Sequence, residues 1–582
     1  MTEVPPRKRV SVVLASTLST VAILGGIVAV GIVLPDSPMV TSTSAAESSP
    51  QASSLLEDPT GTAGTTTTPE PVETDEPGSV EGDVSQIRNV VLLLGDDLDW
   101  SLFNEVPRLR QFMDQGTTLS NFVVTESLCC PSRVSILRGQ YVHNHKVVSN
   151  MLETGGGWQT FYDLGHQKDC LPVWLSEAGV TTSHIGKYLN GFPGKELSPT
   201  YTPPGWANFV STGRGKVAYT GYNYVLNTNG SLRKYGRAPG DFLEDVLTGK
   251  ANQWLGAVTE PFFLQYSSYL PHSPAPTAPR NKGTRAGAQA PRVPNFNAFG
   301  ADEPRWLRTH PALGPKQVAN LDRLWTRRLE SAESMADSFD SIMEQLRATG
   351  RLDDTLVIVT SDNGYHVGNH RIASGKHTPF REDSVVPAVF IGPGIPKGVT
   401  LDAMASTIDL APTIATLQGA RLPAWLDGRD LMPLLTGDPD LTWRTGILTE
   451  NLAPTTPDDP DFSGFEAPKY AALRTPDWLF VDFGSKDGSA LYNLAVDPWE
   501  LDNVIRTTDP AIVSQLRAQT KALAACRGAS CRVADSRPVP PAPRPTPEPS
   551  ATASPDATAT PTPDASATPA PDATATATPA AS

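Results

Sequence analysis

Asn89-Val90-Val91-Leu92-Leu93-Leu94-Gly95-Asp96-Asp97 is the stretch whose reading decides the fold class. Its first six residues form a nearly continuous apolar run, rich in Val and Leu and stopped by Gly95, as expected of a strand buried on both faces. A second run, Thr355 to Thr360, ends in Ser361-Asp362-Asn363-Gly364, and a third, Val386 to Ile391, ends in Gly392-Pro393-Gly394. Between the first two lie stretches of helical period: Glu105 to Gln115, Asp241 to Val258 and Lys316 to Thr349. Buried strands alternating with helices predict an α/β fold, with a large, mostly parallel central sheet flanked by helices. The acidic residues just past two of these strands stand where open α/β sheets bind ligands.

Outward from this core, composition divides the 582-residue chain. Arg7, Lys8 and Arg9 precede the uncharged stretch Val10 to Leu34, so residues 1–35 read as an export signal. Length favours a signal-anchor, because a spanning helix needs about 20 apolar residues. Ser11, Ser16, Thr17, Ser19 and Thr20 dilute the first half, however, and Ala45-Ala46 offers a cleavage region, so a cleaved signal stays open. Either way the positive-inside rule places everything after Pro35 outside the cytoplasm, anchored by the N-terminal helix or secreted. Residues 36–86, a Ser/Thr/Pro linker, and 538–582, a Pro/Thr/Ala tail, hold too few large apolar residues to offset chain entropy and are expected to be disordered.

The folded part is expected to divide into one large domain, 87–440, and a smaller subdomain, 441–537. Tyr470 to Asn493 holds short alternating segments with turns at Thr475-Pro476-Asp477 and Gly484-Ser485-Lys486, which predicts a small antiparallel sheet. Pro274 to Pro315, rich in Pro, Ala, Gly and Arg, reads as a long surface loop or lid. The net charge of −15 argues against a nucleic-acid partner but not against a small anionic substrate, which a few local cations can hold. Of five cysteines, Cys526 and Cys531 are spaced for a small disulfide loop in an oxidising compartment, and Cys170 sits in an apolar, buried setting. The adjacent pair Cys129-Cys130 fits neither pattern.

That pair belongs to Ser127-Leu128-Cys129-Cys130-Pro131-Ser132-Arg133-Val134-Ser135-Ile136-Leu137-Arg138-Gly139. Pro131 suits the first turn of a helix, which puts Cys129 at a helix N-terminus where unpaired N–H groups favour an anion. A buried structural cysteine is the plain alternative. The stretch resembles the sulfatase family signature, C-x-P-S-R followed by an apolar helix and Gly. The resemblance implies that Cys129 is oxidised to formylglycine (3-oxoalanine) by a formylglycine-generating maturation enzyme, with Pro131 and Arg133 directing the modification and Cys130 in a variable position. Downstream, Gly179 to Leu189 resembles the family's second signature, in which the lysine, here Lys187, contacts the substrate sulfate.

Asp96, Asp97, Asp362 and Asn363 offer only oxygen ligands, which suits a hard divalent cation and suits zinc poorly. Taken singly, Asp-Asp after a strand is a solvated turn and Asp-Asn-Gly a plain β-turn. The resemblance matches the four to the family's calcium set, completed by the modified Cys129, and leaves Asp99 as a surface residue. His272, in Pro271-His272-Ser273-Pro274, matches the family histidine beside the leaving-group oxygen. Lys376 lies where the family places a second sulfate-binding lysine, although a solvated loop lysine fits the sequence too. Arg133 and Lys187 are expected to orient the nucleophile and add positive charge.

One departure is visible: many sulfatases have a histidine two residues after the second-signature lysine, and here Lys187 is followed by Tyr188 and Leu189. Gly186-Lys187-Tyr188-Leu189-Asn190, Tyr141-Val142-His143-Asn144-His145 and Asp362-Asn363-Gly364-Tyr365-His366 resemble the branch containing N-acetylglucosamine-6-sulfatases and endosulfatases. His143 and His145 read as packing behind the nucleophile helix, and His366 as a substrate contact. The implied reaction is calcium-assisted hydrolysis of a sulfate ester of a small molecule or glycan, with the alcohol taking a proton from His272 or Lys376. Two rivals remain: a phosphomonoester or phosphonate ester hydrolase of the same superfamily, and a catalytically silent cell-surface binding protein.

Overall fold

The computed structural model describes residues 84–544 except 214, 260, 301, 454–456, 458, 460, 463, 466 and 485–487. The export segment, nearly all of the 36–86 linker and the tail after 544 lie outside the described residues. In chain order the strands are β1 (Asn89–Gly95), β2 (Thr117–Val123), β3 (Thr181–Gly186), β4 (Asn208–Thr212), β5 (Val225–Thr228), β6 (Ser231–Lys234), β7 (Phe262–Ser267), β8 (Thr355–Ser361), β9 (His366–Val367), β10 (Ser374–Gly375), β11 (Ala388–Ile391), β12 (Val399–Ser406), β13 (Ile447–Asn451), β14 (Tyr470–Arg474), β15 (Trp478–Asp482) and β16 (Ser489–Asn493).

Ten of them form one sheet in the order β12-β2-β11-β8-β1-β7-β3-β4-β5-β6. Its centre, β8-β1-β7-β3-β4, is parallel throughout. β11, the third buried run, lies antiparallel to both β8 and β2, and β5 and β6 form an antiparallel edge. A buried apolar run encodes burial but not direction, so the sheet is mixed where the sequence pointed only to mostly parallel.

Side chains of β1 alternate between two cores, as the period of two requires. Val91 and Leu93 pack on one face with the helices Leu243–Leu255 and Pro315–Ala348. Val90, Leu92 and Leu94 pack on the other with Cys130, Val134 and Leu137 of the helix Cys129–Arg138 and with the helix Leu410–Leu417. The expected helix over Glu105 to Gln115 is instead three short ones, Trp100–Glu105, Pro107–Arg110 and Phe112–Gln115. Pro107 has no N–H to continue the first and opens the second.

Strand register positions the site. β1 pairs with β8 from Asn89↔Thr355 through Gly95↔Ser361, so Asp96-Asp97 and Asp362-Asn363 leave neighbouring strands at the same level. β7 runs beside β1 up to Leu94↔Ser267 and β3 beside β7 up to Gly186↔Ser267, which delivers His272 and Lys187 to the same edge.

β13, β14, β15 and β16 form a separate antiparallel sheet, with the expected turn at 475–477 joining β14 to β15. β13 is stitched to the chain entering the helix Cys129–Arg138: Thr449 Oγ1 donates to Val124 O at 2.8 Å and Glu450 N to Thr125 O at 2.8 Å. Cys526 and Cys531 are disulfide-bonded, and Cys170 is buried.

The first residues of the 538–582 segment do not stand apart. Pro540 O accepts from Trp478 Nε1 at 2.9 Å, and Pro543 O accepts from Asn493 Nδ2 at 2.9 Å. Nor does Pro274 to Pro315 stand free as a lid. Arg280 pairs with Asp245 at 2.8 Å and Arg292 with Asp322 at 2.7 Å, while Arg285 donates to Glu333 at 3.0 Å, all on the two long helices. Such partly exposed pairs contribute about 0–1 kcal/mol each, so several together fix the segment's course.

Candidate active site

Helix Cys129–Arg138 begins at Cys129 without a side-chain cap and ends at Gly139. Gly139 has φ 61°, the left-handed conformation that closes a helix, and a Cβ there would meet Leu426 Cδ2 at 2.7 Å. The two cysteines part company at the helix start. Cys130 packs into the core beneath the sheet, and burial pushes its thiol up to about 12. Cys129 faces the carboxylates, its Sγ 3.4 Å from Asp96 Oδ1 and 3.9 Å from Asp97 Oδ1, with Lys376 Nζ at 2.8 Å.

Each acidic residue is tied to a cation. Lys187 Nζ donates to both Asp96 oxygens at 2.7 Å, and Arg133 Nε donates to Asp362 Oδ2 at 2.7 Å. Lys376 Nζ and Asn363 Nδ2 both donate to Asp97 Oδ1 at 2.7 Å. Burial opposes charge on Asp362 and Lys187, yet Arg133 and Lys187 hold Asp362 below the usual carboxylate range, and Asp96 holds Lys187 well above its ordinary value. Asp97 adopts φ 68°, a left-handed conformation that costs a non-glycine residue about 1–2 kcal/mol and is concentrated at functional sites.

His272 Nδ1 donates to Ser273 O at 2.7 Å, and its Nε2 donates to Asp461 Oδ1 at 2.6 Å. Both ring nitrogens are donors, the arrangement of an imidazolium. Burial works against that charge, but Asp97, Asp96 and Asp461 outweigh it and raise the His272 pKa.

Within this cluster two buried oxygens, Asp97 Oδ2 and Asn363 Oδ1, have no hydrogen-bond partner. Orphaned oxygens in a site this closed call for a ligand. Asp96, Asp97, Cys129 and His272 also come within metal-ligating distance of one another. The sulfur and nitrogen of that group are engaged by Lys376 and Asp461, whereas the free donors are oxygens, so the residues fit a hard cation such as calcium better than zinc.

Other residues singled out in the sequence lie elsewhere. Asp99 is buried, not at the surface: it caps the helix Trp100–Glu105 by accepting from Leu102 N at 3.0 Å and pairs with Arg328 at 3.0 Å. His145 Nδ1 accepts from Val147 N, leaving Nε2 to donate to Ser135 Oγ at 3.1 Å on the helix Cys129–Arg138. His143 joins Glu450 at 2.8 Å to Cys526 O at 3.0 Å, so it ties this region to the small sheet and the disulfide loop. His366 Nδ1 sits 2.9 Å from both oxygens of Asp383.

A cavity of about 740 Å³ opens beside Lys187, walled by Asn150, Trp158, Tyr188, Asn190, Tyr219 and Tyr269. Neither His366 nor any residue of 274–315 is part of its wall. Sequence reasoning missed these walls and missed Asp461 and Asn150. The only trace of Asp461 in the sequence is three aspartates within 458–461, a pattern with no reading of its own.

This combination, a cysteine at a helix start facing carboxylates and cations at the ends of parallel strands, coincides with matches to known proteins. The sulfatase family model covers residues 88–420, and the model for the C-terminal part of N-sulphoglucosamine sulphohydrolase covers 375–525. The chain belongs to the sulfatase family and is a sulfuric ester hydrolase. Its relatives place it in the N-acetylglucosamine-6-sulfatase branch. The human N-acetylglucosamine-6-sulfatase is 32% identical over 476 residues, 76% of this chain and 86% of the human one. The extracellular sulfatase SULF-1 homolog of Drosophila melanogaster is 32% identical over 358 residues, 60% of this chain and 31% of that protein. A structure solved with its substrate D-glucosamine-2-N,6-O-disulfate superimposes with TM-score 0.63 at 18% identity, over 75% of this chain and 97% of that one. The phosphonate monoester hydrolase of Silicibacter pomeroyi does so with TM-score 0.58 at 22% identity, over 75% and 94%, a likeness of fold.

Proposed function

We propose that this sulfatase removes the 6-sulfate from N-acetylglucosamine units of a sulfated glycan, outside the cytoplasm, using calcium and a formylglycine made from Cys129. The observation that carries it is the surroundings of Cys129, where two orphaned oxygens and the ends of Lys376, Lys187 and Arg133 converge. The similarity to N-acetylglucosamine-6-sulfatases supports the sugar, and the aromatic wall of the adjoining cavity suits stacking on sugar rings. Among the described residues no helix is long and apolar enough to cross a membrane; Val10 to Leu34 lies outside them. The outside location therefore rests on the N-terminal sequence and the extracellular relatives.

Asp96, Asp97, Asp362 and Asn363 would hold the calcium, which supplies Lewis-acid polarisation of the sulfate oxygens. The matured residue 129 supplies the oxygen nucleophile and the means of releasing sulfate afterwards, which a plain cysteine lacks. Lys376 and Lys187 neutralise charge on the sulfate oxygens, and being fixed beforehand by Asp97 and Asp96 they need little reorganisation. Arg133, held between Asp362 and Lys187 O, fixes the carboxylate and the lysine backbone relative to the nucleophile helix. His272 carries its proton on Nε2, facing the reaction centre, and is the donor to the departing alcohol.

A substrate panel tests the reading. The kcat/KM for 6-sulfated N-acetylglucosamine is expected to exceed that for a small aryl sulfate, despite the better aryl leaving group, and both to exceed the matching phosphate esters. Preference for the phosphate would leave the ester class wrong, and preference for the aryl sulfate would leave the sugar wrong. Asn190 lines the cavity with an unpartnered amide oxygen, so Asn190→Ala should lower kcat/KM for the sugar about 3- to 10-fold more than for the aryl ester. His366→Ala, away from the cavity wall, should affect both substrates alike. Equal losses for both substrates in Asn190→Ala would show that the sugar does not enter this cavity.

A further inference from the structure

Asp461 occupies ground that a substrate must use. Its Oδ1 accepts from His272 Nε2 at 2.6 Å and lies 3.4 Å from Lys376 Nζ, while its Oδ2 is 3.8 Å from Cys129 Sγ. A sulfate attacked from residue 129 has to put its oxygens against that side chain and against those two cations. The carboxylate and the sulfate therefore exclude each other. We propose that Asp461 is a specificity-determining residue: its carboxylate fills the sulfate-binding position, and only ligands that also fill the adjoining cavity displace it. The inference rests on the sulfatase reading of the site and narrows its substrate class to sulfate esters with a substantial sugar body.

The arrangement is built rather than incidental. The Asp461 side chain is 2% exposed, its backbone N–H donates to Asp459 Oδ1 at 2.9 Å, and Asn150 Nδ2 donates to its Oδ2. Asn150 is itself fixed, accepting from Cys130 N at 2.9 Å, and it lines the same cavity as Lys187. An incoming sulfate ester thus reaches Asp461 by way of that cavity.

A sulfate monoester carries one negative charge, as does the Asp461 carboxylate, so exchanging them leaves the charge of the site unchanged. The cations then favour the incoming sulfate over the resident carboxylate only by a difference, and net affinity has to come from contacts elsewhere on the ligand. Those contacts are the aromatic and amide wall of the cavity. Free sulfate and small aryl sulfates cannot make them, so they carry the full cost of opening the site, which weakens them by the fraction of time it stands open.

Asp461→Asn keeps the shape and removes the charge; Asp461→Ala removes both. In calcium-loaded protein, titration calorimetry with inorganic sulfate should show its Kd tightening about tenfold or more in both variants. The kcat/KM for a small aryl sulfate should rise relative to that for 6-sulfated N-acetylglucosamine. Unchanged or weaker sulfate binding overturns the proposal. So does loss of bound calcium, which would make Asp461 a metal ligand, or a fall in kcat with a shifted acidic limb and unaltered sulfate Kd, which would make it only the partner that positions His272. The sulfatase reading fails separately: wild type that hydrolyses no sulfate ester sinks that reading, while tighter sulfate binding in the variants would still place Asp461 on the anion position.

Discussion

Asp362→Asn is expected to lose bound calcium and turnover together, with kcat/KM falling about 10³-fold or more while the protein stays folded. The carboxylate has two separate duties in a fully buried place. Oδ1 accepts from Asp97 N at 3.2 Å and Asn363 N at 2.8 Å, which sets the two strand ends against each other, and Oδ2 accepts from Arg133 Nε at 2.7 Å. Asparagine keeps an acceptor for the guanidinium but gives up the charge a hard cation requires. Asp362→Ala would mislead, because it strands Arg133, 2% exposed, without its closest carboxylate, a change that costs about 3–5 kcal/mol on its own. Elemental analysis and thermal melts of the Asn variant separate the two effects. Stoichiometric calcium with full turnover would take Asp362 out of the ligand set.

The second large effect is expected at the paired cysteines, where one methylene-thiol is everything and its neighbour nearly nothing. Cys129→Ala should reduce turnover by about 10⁴-fold or more, the scale of losing a nucleophile, with little effect on melting. Cys130→Ala should keep turnover per folded molecule and lower stability by about 1–3 kcal/mol, since Cys130 belongs to the core between sheet and helix. Mass measurement of the wild-type peptide should show the thiol-to-aldehyde change at residue 129 with 130 untouched. An aldehyde at 130, or fully active protein with none, would refute the assignment.

Much of this site could be read from the chain because its parts sit at the ends of strands with plain apolar signatures. Asn89 to Leu94 and Thr355 to Thr360 announced themselves by composition, and once they pair as neighbours the adjacent positions of Asp97 and Asp362 follow. Direction was not legible: Ala388–Ile391 has the same composition and runs the other way. β3, β4 and β12 were not anticipated, since stretches such as Thr181–Gly186 or Val399–Ser406 mix Thr, Ser, Gly and charged residues and become strands through their neighbours. Asp99 was misjudged because a capping aspartate and a solvated one look alike until Arg328, far along the chain, closes on it. Asp461 was invisible for the same reason. Its meaning comes from His272 and Lys376, and no local pattern points from one to the others.

The stitching of β13 to Val124 and Thr125, together with the bridge from His143 to Glu450 and Cys526 O, bears on how heat inactivates this protein. The small sheet cannot peel away while the helix Cys129–Arg138 keeps its place, for the same few bonds serve both. Melting of the two sheets is then one cooperative event. Loss of catalysis, loss of near-ultraviolet ellipticity and the onset of proteolysis should trace a single curve on a temperature ramp, with no range in which a truncated yet active core survives.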